Sequence, residues 1–275
     1  MVRRFFGALF RGVCAGLVLM VPSLVLVHVP SDATYFVLIS AMLLAFIVFS
    51  EYNNTYPSIL EFRDAPPFNR IRFLHGILSV CGVALIFQDM IFGDGLGAVT
   101  RVSVYLGQVL DFTGSPVDML MMSVPYDLSE SVLQSMRAAG ALTITLCVVS
   151  ILAFFAYIKT TNWPISRGQF NIWVNLPLMD PSRGDNLAKR MKRRAQVNIG
   201  LGGSFLFAGL VFFKGVGAIL GPALYADLVV LMWIIILWGA IPTTMVMRGI
   251  AMARLATEIA KKQTQGAANS NLQAA

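Results

Sequence analysis

The stretch Thr34–Ser50, TYFVLISAMLLAFIVFS, runs for seventeen residues without a single Asp, Glu, Lys, Arg or His. A helix of that length rises about 26 Å, close to the roughly 30 Å of hydrocarbon that a membrane-crossing helix must cover. The residues before it, PSDA, offer Ser31 or Asp32 as a helix N-cap. Upstream, Gly12–Val29 forms a second apolar run with Pro22 inside it, and only about four residues separate the two runs, so they are expected to pair as an antiparallel hairpin. The opening MVRRFF resembles the basic start of a signal peptide, but Arg11 interrupts the apolar part and the run continues past Leu26, so it is read as an uncleaved span.

Four further runs of comparable length follow, at about 73–92, 138–158, 197–213 and 224–246. The chain is 57% hydrophobic and 13% charged, with a mean hydropathy of +0.72. Soluble chains carry about 25% charged residues, so this one has too little polar surface to coat a globule. The fold expected is an all-α, polytopic bundle of about six transmembrane helices in one domain, residues 1–265. Residues 266–275, GAANSNLQAA, are expected to form a disordered tail. GVGAILGP, Gly215–Pro222, reads as the turn between the last two spans.

Basic residues set the expected orientation, because short loops rich in Lys and Arg stay in the cytoplasm. With the N-terminus inside, eighteen of the 21 Lys and Arg residues fall on the cytoplasmic side, and only Arg101, Arg137 and Lys214 fall outside. Both termini and the loops 51–72 and 159–196 are therefore expected to be cytoplasmic, in a bacterial inner membrane. The segment 93–137 is expected outside, and it is too long to lack structure. Val102, Tyr105, Leu106 and Val109 recur there at helical spacing, and PVDMLMMSV makes a second apolar patch. The two together form either a lid on the bundle or a docking surface.

Candidate chemistry is sparse. The chain has no GxxxxGK[ST], GxSxG or HExxH pattern. Cys14, Cys81 and Cys147 all sit inside apolar runs, without a CxxC pair. His28 closes the first span and His75 opens the third, a mismatch in depth that disfavours a haem held by both. No catalytic, metal or cofactor-binding residue is assigned. The span centres carry no ionisable residue, whereas Asp89, Lys214 and Asp227 gather by expectation at the outer end, where Lys214 can pair with either aspartate. Small pairs at Gly12 and Gly16, and at Gly217 and Gly221, would permit close helix approach.

At the cytoplasmic face two stretches stand out. EFRDAPPFNRIRF, Glu61–Phe73, reads as a turn: Pro66 and Pro67 stop the preceding helix, Arg70 and Arg72 fix the next entry, and Phe62, Phe68 and Phe73 sit at the headgroup boundary. KRMKRR, with Lys189, Arg190, Lys192, Arg193 and Arg194, reads as a topology signal that meets anionic lipid, beside an interfacial stretch with Phe170 and Trp173. With Arg63 and Asp64 these residues make the expected lipid or partner contacts; nucleic acid is not expected. The first functional reading is a non-catalytic accessory, assembly or scaffold subunit of a larger membrane complex. The alternatives are a small-solute transporter or channel component using Gln88, Asp89, Asn198, Ser204 and Asp227, and a lipid enzyme at the inner face using Glu61, Asp64 and His75.

Overall fold

Glycine sets the crossing of the first two helices, α1 (Val2–Val25) and α2 (Ser31–Asn53). This is a computed structural model, which describes residues 2–26, 31–56, 58–93, 95–125, 127–161, 163–164, 171–176, 179, 186–221 and 223–273. His28, Asp94, Arg167, Phe170, Arg183 and Pro222 lie outside the described residues, as do the side chains of Ser31, Asp32 and Trp173. A Cβ on Gly12 would come within 2.5 Å of the Ala45 carbonyl oxygen, and one on Gly16 within 3.0 Å of that of Ala41. The two backbones therefore touch along a small-residue seam on each helix, as close packing between membrane helices requires. The second small pair works differently: a Cβ on Gly217 would meet only Leu224, at 3.8 Å, and Gly221 turns the chain at φ +60°. Beyond α1, the surface of α2 is largely uncovered, with Phe36, Met42 and Phe46 exposed. A helix that is apolar all round and bare of protein is suited to lipid.

Three long helices form the centre. α3 (Pro66–Phe87) continues through a π-helical turn, Gln88–Phe92, and packs antiparallel on the helix Glu130–Thr161. Pro66 and Pro67 occupy its first turn, where the missing amide hydrogens cost nothing, so the helix starts seven residues before the expected Phe73. His75 is consequently well inside the helix and 3% exposed, not at its entry. The register is set by Gly82 against Leu142 and by His75 against Ser150. The last long helix, Leu228–Gln273, packs on the same core through Gly239, which faces Thr143.

The fifth span departs from expectation. In place of one helix over 197–213, Leu187–Phe207 and Gly209–Leu220 meet at a bend of 75° around Ala208. The bend packs against another helix. Gly209 lies against the indole of Trp238, where even a Cβ would be 3.2 Å from the ring, and Phe213 packs edge-on against the same indole with centroids 5.6 Å apart. Trp238 is ten residues, or about 15 Å, from Leu228 at the end of its helix, so the bend falls about halfway through the hydrocarbon. The chain expected to turn at Gly215 instead stays helical to Leu220, because backbone groups in a bilayer must be satisfied within the chain.

Two shorter helices lie against this core, and the second also packs on the bent pair. In chain order they are α4 (Ala98–Leu110) and α5 (Pro116–Met121), which makes Glu130–Thr161 α6. The remaining helices are α7 (Ile172–Asn175), α8 (Leu187–Phe207), α9 (Gly209–Leu220), α10 (Ala223–Ala226) and α11 (Leu228–Gln273). Leu120 of α5 is fully buried and reaches Gly140, and α5 also packs on α9. The methionine-rich patch is thus a lid on its own bundle. α4 packs on α6 through Thr100, Ser103 and Gly107, all buried, and turns Val102, Tyr105 and Val109 outward. α11 continues to Gln273, since extending an existing helix through Ala, Gln and Asn needs no new nucleus.

Among the described residues there is no strand, and five helices are long and apolar enough to cross a membrane, with α8–α9 as a bent sixth. The chain is an all-α, multi-pass membrane protein.

Candidate functional site

Both terminal helices, the end of α2, the start of α3, the end of α6 and the start of α8 meet at one end of the bundle, which also carries most of the cations. The loop between α2 and α3 is built into this basic end. Glu51, 6% exposed, closes α2, and its carboxylate accepts hydrogen bonds from the amides of Ser58 (3.0 Å), Ile59 (3.0 Å) and Leu60 (2.9 Å) and from the Ser58 hydroxyl (2.7 Å). Successive amides converging on one carboxylate make an anion nest, with the anion supplied by the protein itself. Arg63 draws the loop tight from the other side, donating to the carbonyls of Glu51 (3.2 Å), Asn54 (2.6 Å) and Thr55 (3.3 Å).

From there the loop is stitched to three other segments. Asn175 at the end of α7 accepts from the Phe62 amide through its carbonyl (2.6 Å) and from the Asp64 amide through its side chain (2.9 Å). Asn69 in α3 donates back to the carbonyls of Phe62 (2.7 Å) and Arg63 (2.9 Å). Glu61 receives both arms of the Arg248 guanidinium, with Nη2 at 2.8 Å, while the third nitrogen, Nη1, donates to Asn198 at 2.9 Å. Phe62 takes φ 56°, a left-handed conformation that costs a bulky residue about 1–2 kcal/mol. Its ring offsets that cost by full burial against Phe68, with centroids 4.9 Å apart, and Phe68 in turn meets Phe154 at 5.6 Å.

The residues singled out in the sequence therefore divide. Arg63 is spent on the loop, with its side chain 9% exposed, and its ion pair with Asp64 spans 3.4 Å. Arg72 donates to Asn69 at 3.2 Å and lies over the Phe68 ring, 5.5 Å from its centroid. Phe62 and Phe68, expected at the headgroup boundary, are core residues because the loop folds inward; Phe73 is exposed. Arg70, Lys189, Lys192, Arg193 and Arg194 lie on the surface, and Arg190 is half-buried. Glu51, Glu61, Asn175, Asn198 and Arg248 carry the architecture of this end, and nothing in their local sequence marks that role.

At the opposite end, Asp89 accepts from the Gly97 amide (2.9 Å) and the Thr100 hydroxyl (2.6 Å), anchoring the start of α4. Asp227 caps α11 by accepting from the amides of Val229 (2.9 Å) and Val230 (3.2 Å). Lys214 is exposed on α9, and no ion pair among the described residues joins it to either aspartate. The pair found at this end is Arg137 with Asp111, at 2.7 Å, which fastens the end of α4 to α6.

A concave surface lies at the basic end. α8 and α11 together line a cleft of about 770 Å³. Its floor is Ala188, Ala253, Ala256 and Ala260, and its rim carries Lys189, Lys192 and Lys261. Glu258, next to the lining residue Thr257, is already engaged by Arg254 and Lys261, each at 3.3 Å. Among the described residues no three His, Cys, Asp or Glu side chains gather as a metal site would need. No protein-family model matches this chain, and comparison with curated proteins and with solved structures finds no match either.

Proposed function

We propose that this chain is a non-catalytic subunit of a larger membrane assembly, acting through protein and lipid contacts at its basic end, which we take to be cytoplasmic. The observation that carries this reading is how its polar groups are used. The carboxylates that a catalyst or a carrier would need are committed internally: Glu51 to the loop, Glu61 to Arg248, Asp89 to α4 and Asp227 to the cap of α11. The surface of the basic end carries a run of cations on one helix, beside a cleft lined by alanines. That is chemistry for recognition.

The lipid-enzyme reading loses support because His75 is buried in the bundle while Asp64 is exposed at the loop, so the two cannot serve one reacting group. The transport reading has one observation in its favour, the mid-bilayer bend at Ala208, since interrupted helices mark many carriers. Its proposed lining is scattered, however: Asn198 lies at the basic end, Asp89 and Asp227 at the other, and Ser204 on the exposed side of α8.

Mass spectrometry of the particle released by mild detergent tests the proposal. A subunit appears with stoichiometric protein partners. A lone chain that drives solute flux in liposomes would overturn the reading in favour of transport.

A further inference from the structure

The cleft between α8 and α11 can be read more closely than as a generic basic surface. The twenty residues Leu228–Met247 rise about 30 Å, so Arg248 marks the membrane boundary at the basic end. The cleft begins at Ala253, about 8 Å beyond that boundary, and ends at Gln265, about 26 Å beyond it. The polar headgroup layer adds only about 5–8 Å to each side of the hydrocarbon. Most of the cleft therefore lies beyond the reach of a phospholipid headgroup.

Its floor has a helical period. Ala253, Ala256, Ala260 and Thr264 recur along one face of α11, and Ala188 faces them from α8. Small residues at this spacing let a third helix approach both backbones closely. Ala253 to Thr264 spans about 16 Å, three turns of helix. The walls are cationic: Lys189 and Lys192 on α8 and Lys261 on α11, with hydroxyls from Thr257 and Thr264 between them. Glu258, a carboxylate beside the cleft among the described residues, already has two cationic partners, Arg254 and Lys261.

Resting on the reading of this chain as a subunit, we infer that the cleft is the docking site for an amphipathic helical segment of a partner protein, about three turns long, with a small apolar face and Asp or Glu along its flanks. The alanine floor takes the apolar face; Lys189 and Lys192 pair with the acidic flanks and set the register, while Lys261 keeps its contact with Glu258.

The test uses the full-length protein in its native membrane, with a benzophenone-bearing residue placed at Thr264 and two groove variants purified beside the wild type. Lys189→Glu with Lys192→Glu reverses the wall, and Ala260→Trp fills the exposed part of the floor without entering the core. The expected result is a light-dependent adduct to an Asp- and Glu-rich helical segment of a co-purifying protein, with recovery of that protein at least tenfold lower from each variant. An adduct within residues 177–185 of the same chain, an adduct to lipid, or a partner recovered undiminished from both variants would overturn the docking site and leave the subunit reading intact. If no protein co-purifies with the wild type, both fall.

Discussion

Arg248 and Glu61, 187 residues apart in the chain, form a two-armed ion pair that ties the end of the last membrane crossing to the loop after α2. The third guanidinium nitrogen holds Asn198 at 2.9 Å, so one side chain joins α11, α8 and the loop. A planar fork with five donors suits this task, and a lysine could not replace it. The pair is only partly shielded, with side-chain exposures of 25% for Arg248 and 13% for Glu61.

Glu61→Gln removes the anion and strands the guanidinium in place. This variant is expected to lose about 2–3 kcal/mol of stability, below the full value for a deeply buried pair because water reaches both groups. Converting both partners together, Glu61→Leu with Arg248→Met, is expected to recover at least half of that loss. Chemical unfolding of the detergent-solubilised protein reads both, and a wild-type midpoint for Glu61→Gln would show that the pair contributes nothing.

The hairpin crossing gives a second expectation. Gly12→Leu places a side chain where the Ala45 carbonyl already stands at 2.5 Å from an ideal Cβ, so the helices must separate. Overpacking of this kind costs about 1–3 kcal/mol. Gly217→Leu meets no backbone and is expected to stay within about 0.5 kcal/mol of wild type. Equal unfolding midpoints for the two variants would refute the close crossing.

The six apolar runs were legible because bilayer thickness imposes a length and a charge-free composition that any crossing segment must show. The turn at EFRDAPPFNRIRF was legible from its prolines. Its internal chemistry was not: Glu51 receiving three loop amides, and Glu61 finding Arg248, are pairings across distance that leave no periodicity in either stretch. The bend at Ala208 was hidden for a related reason, since LFAGLVFF is uniformly apolar and the residue it packs against, Trp238, belongs to another helix. For α4 the stripe was visible but not its direction. In water an apolar stripe turns toward the protein, whereas α4 turns its small face, Thr100, Ser103 and Gly107, inward and Val102, Tyr105 and Val109 outward.

That direction can be measured. With Cys14, Cys81 and Cys147 replaced by alanine, a nitroxide on Val102→Cys in reconstituted protein is expected to collide more often with oxygen than with a water-soluble nickel chelate. A label on Arg101→Cys, one residue round the helix, is expected to favour nickel more strongly. If Val102 proves the more water-accessible of the two, α4 does not turn its apolar face to lipid.

His75 supplies the last expectation, because its burial exceeds what its bonds justify. Nδ1 lies 3.1 Å from the Ser150 hydroxyl, but Nε2 is buried with no hydrogen-bond partner among the described residues. A buried polar atom without a partner carries a desolvation cost of about 1–3 kcal/mol that nothing repays. His75→Leu removes that atom and keeps most of the volume, and Ser150 can turn its hydroxyl to the carbonyl four residues back in α6. The variant is therefore expected to unfold within about 1 kcal/mol of wild type, or above it. A loss greater than about 2 kcal/mol would show instead that Nε2 has a partner, and a buried water between α3 and α6 would be the first candidate.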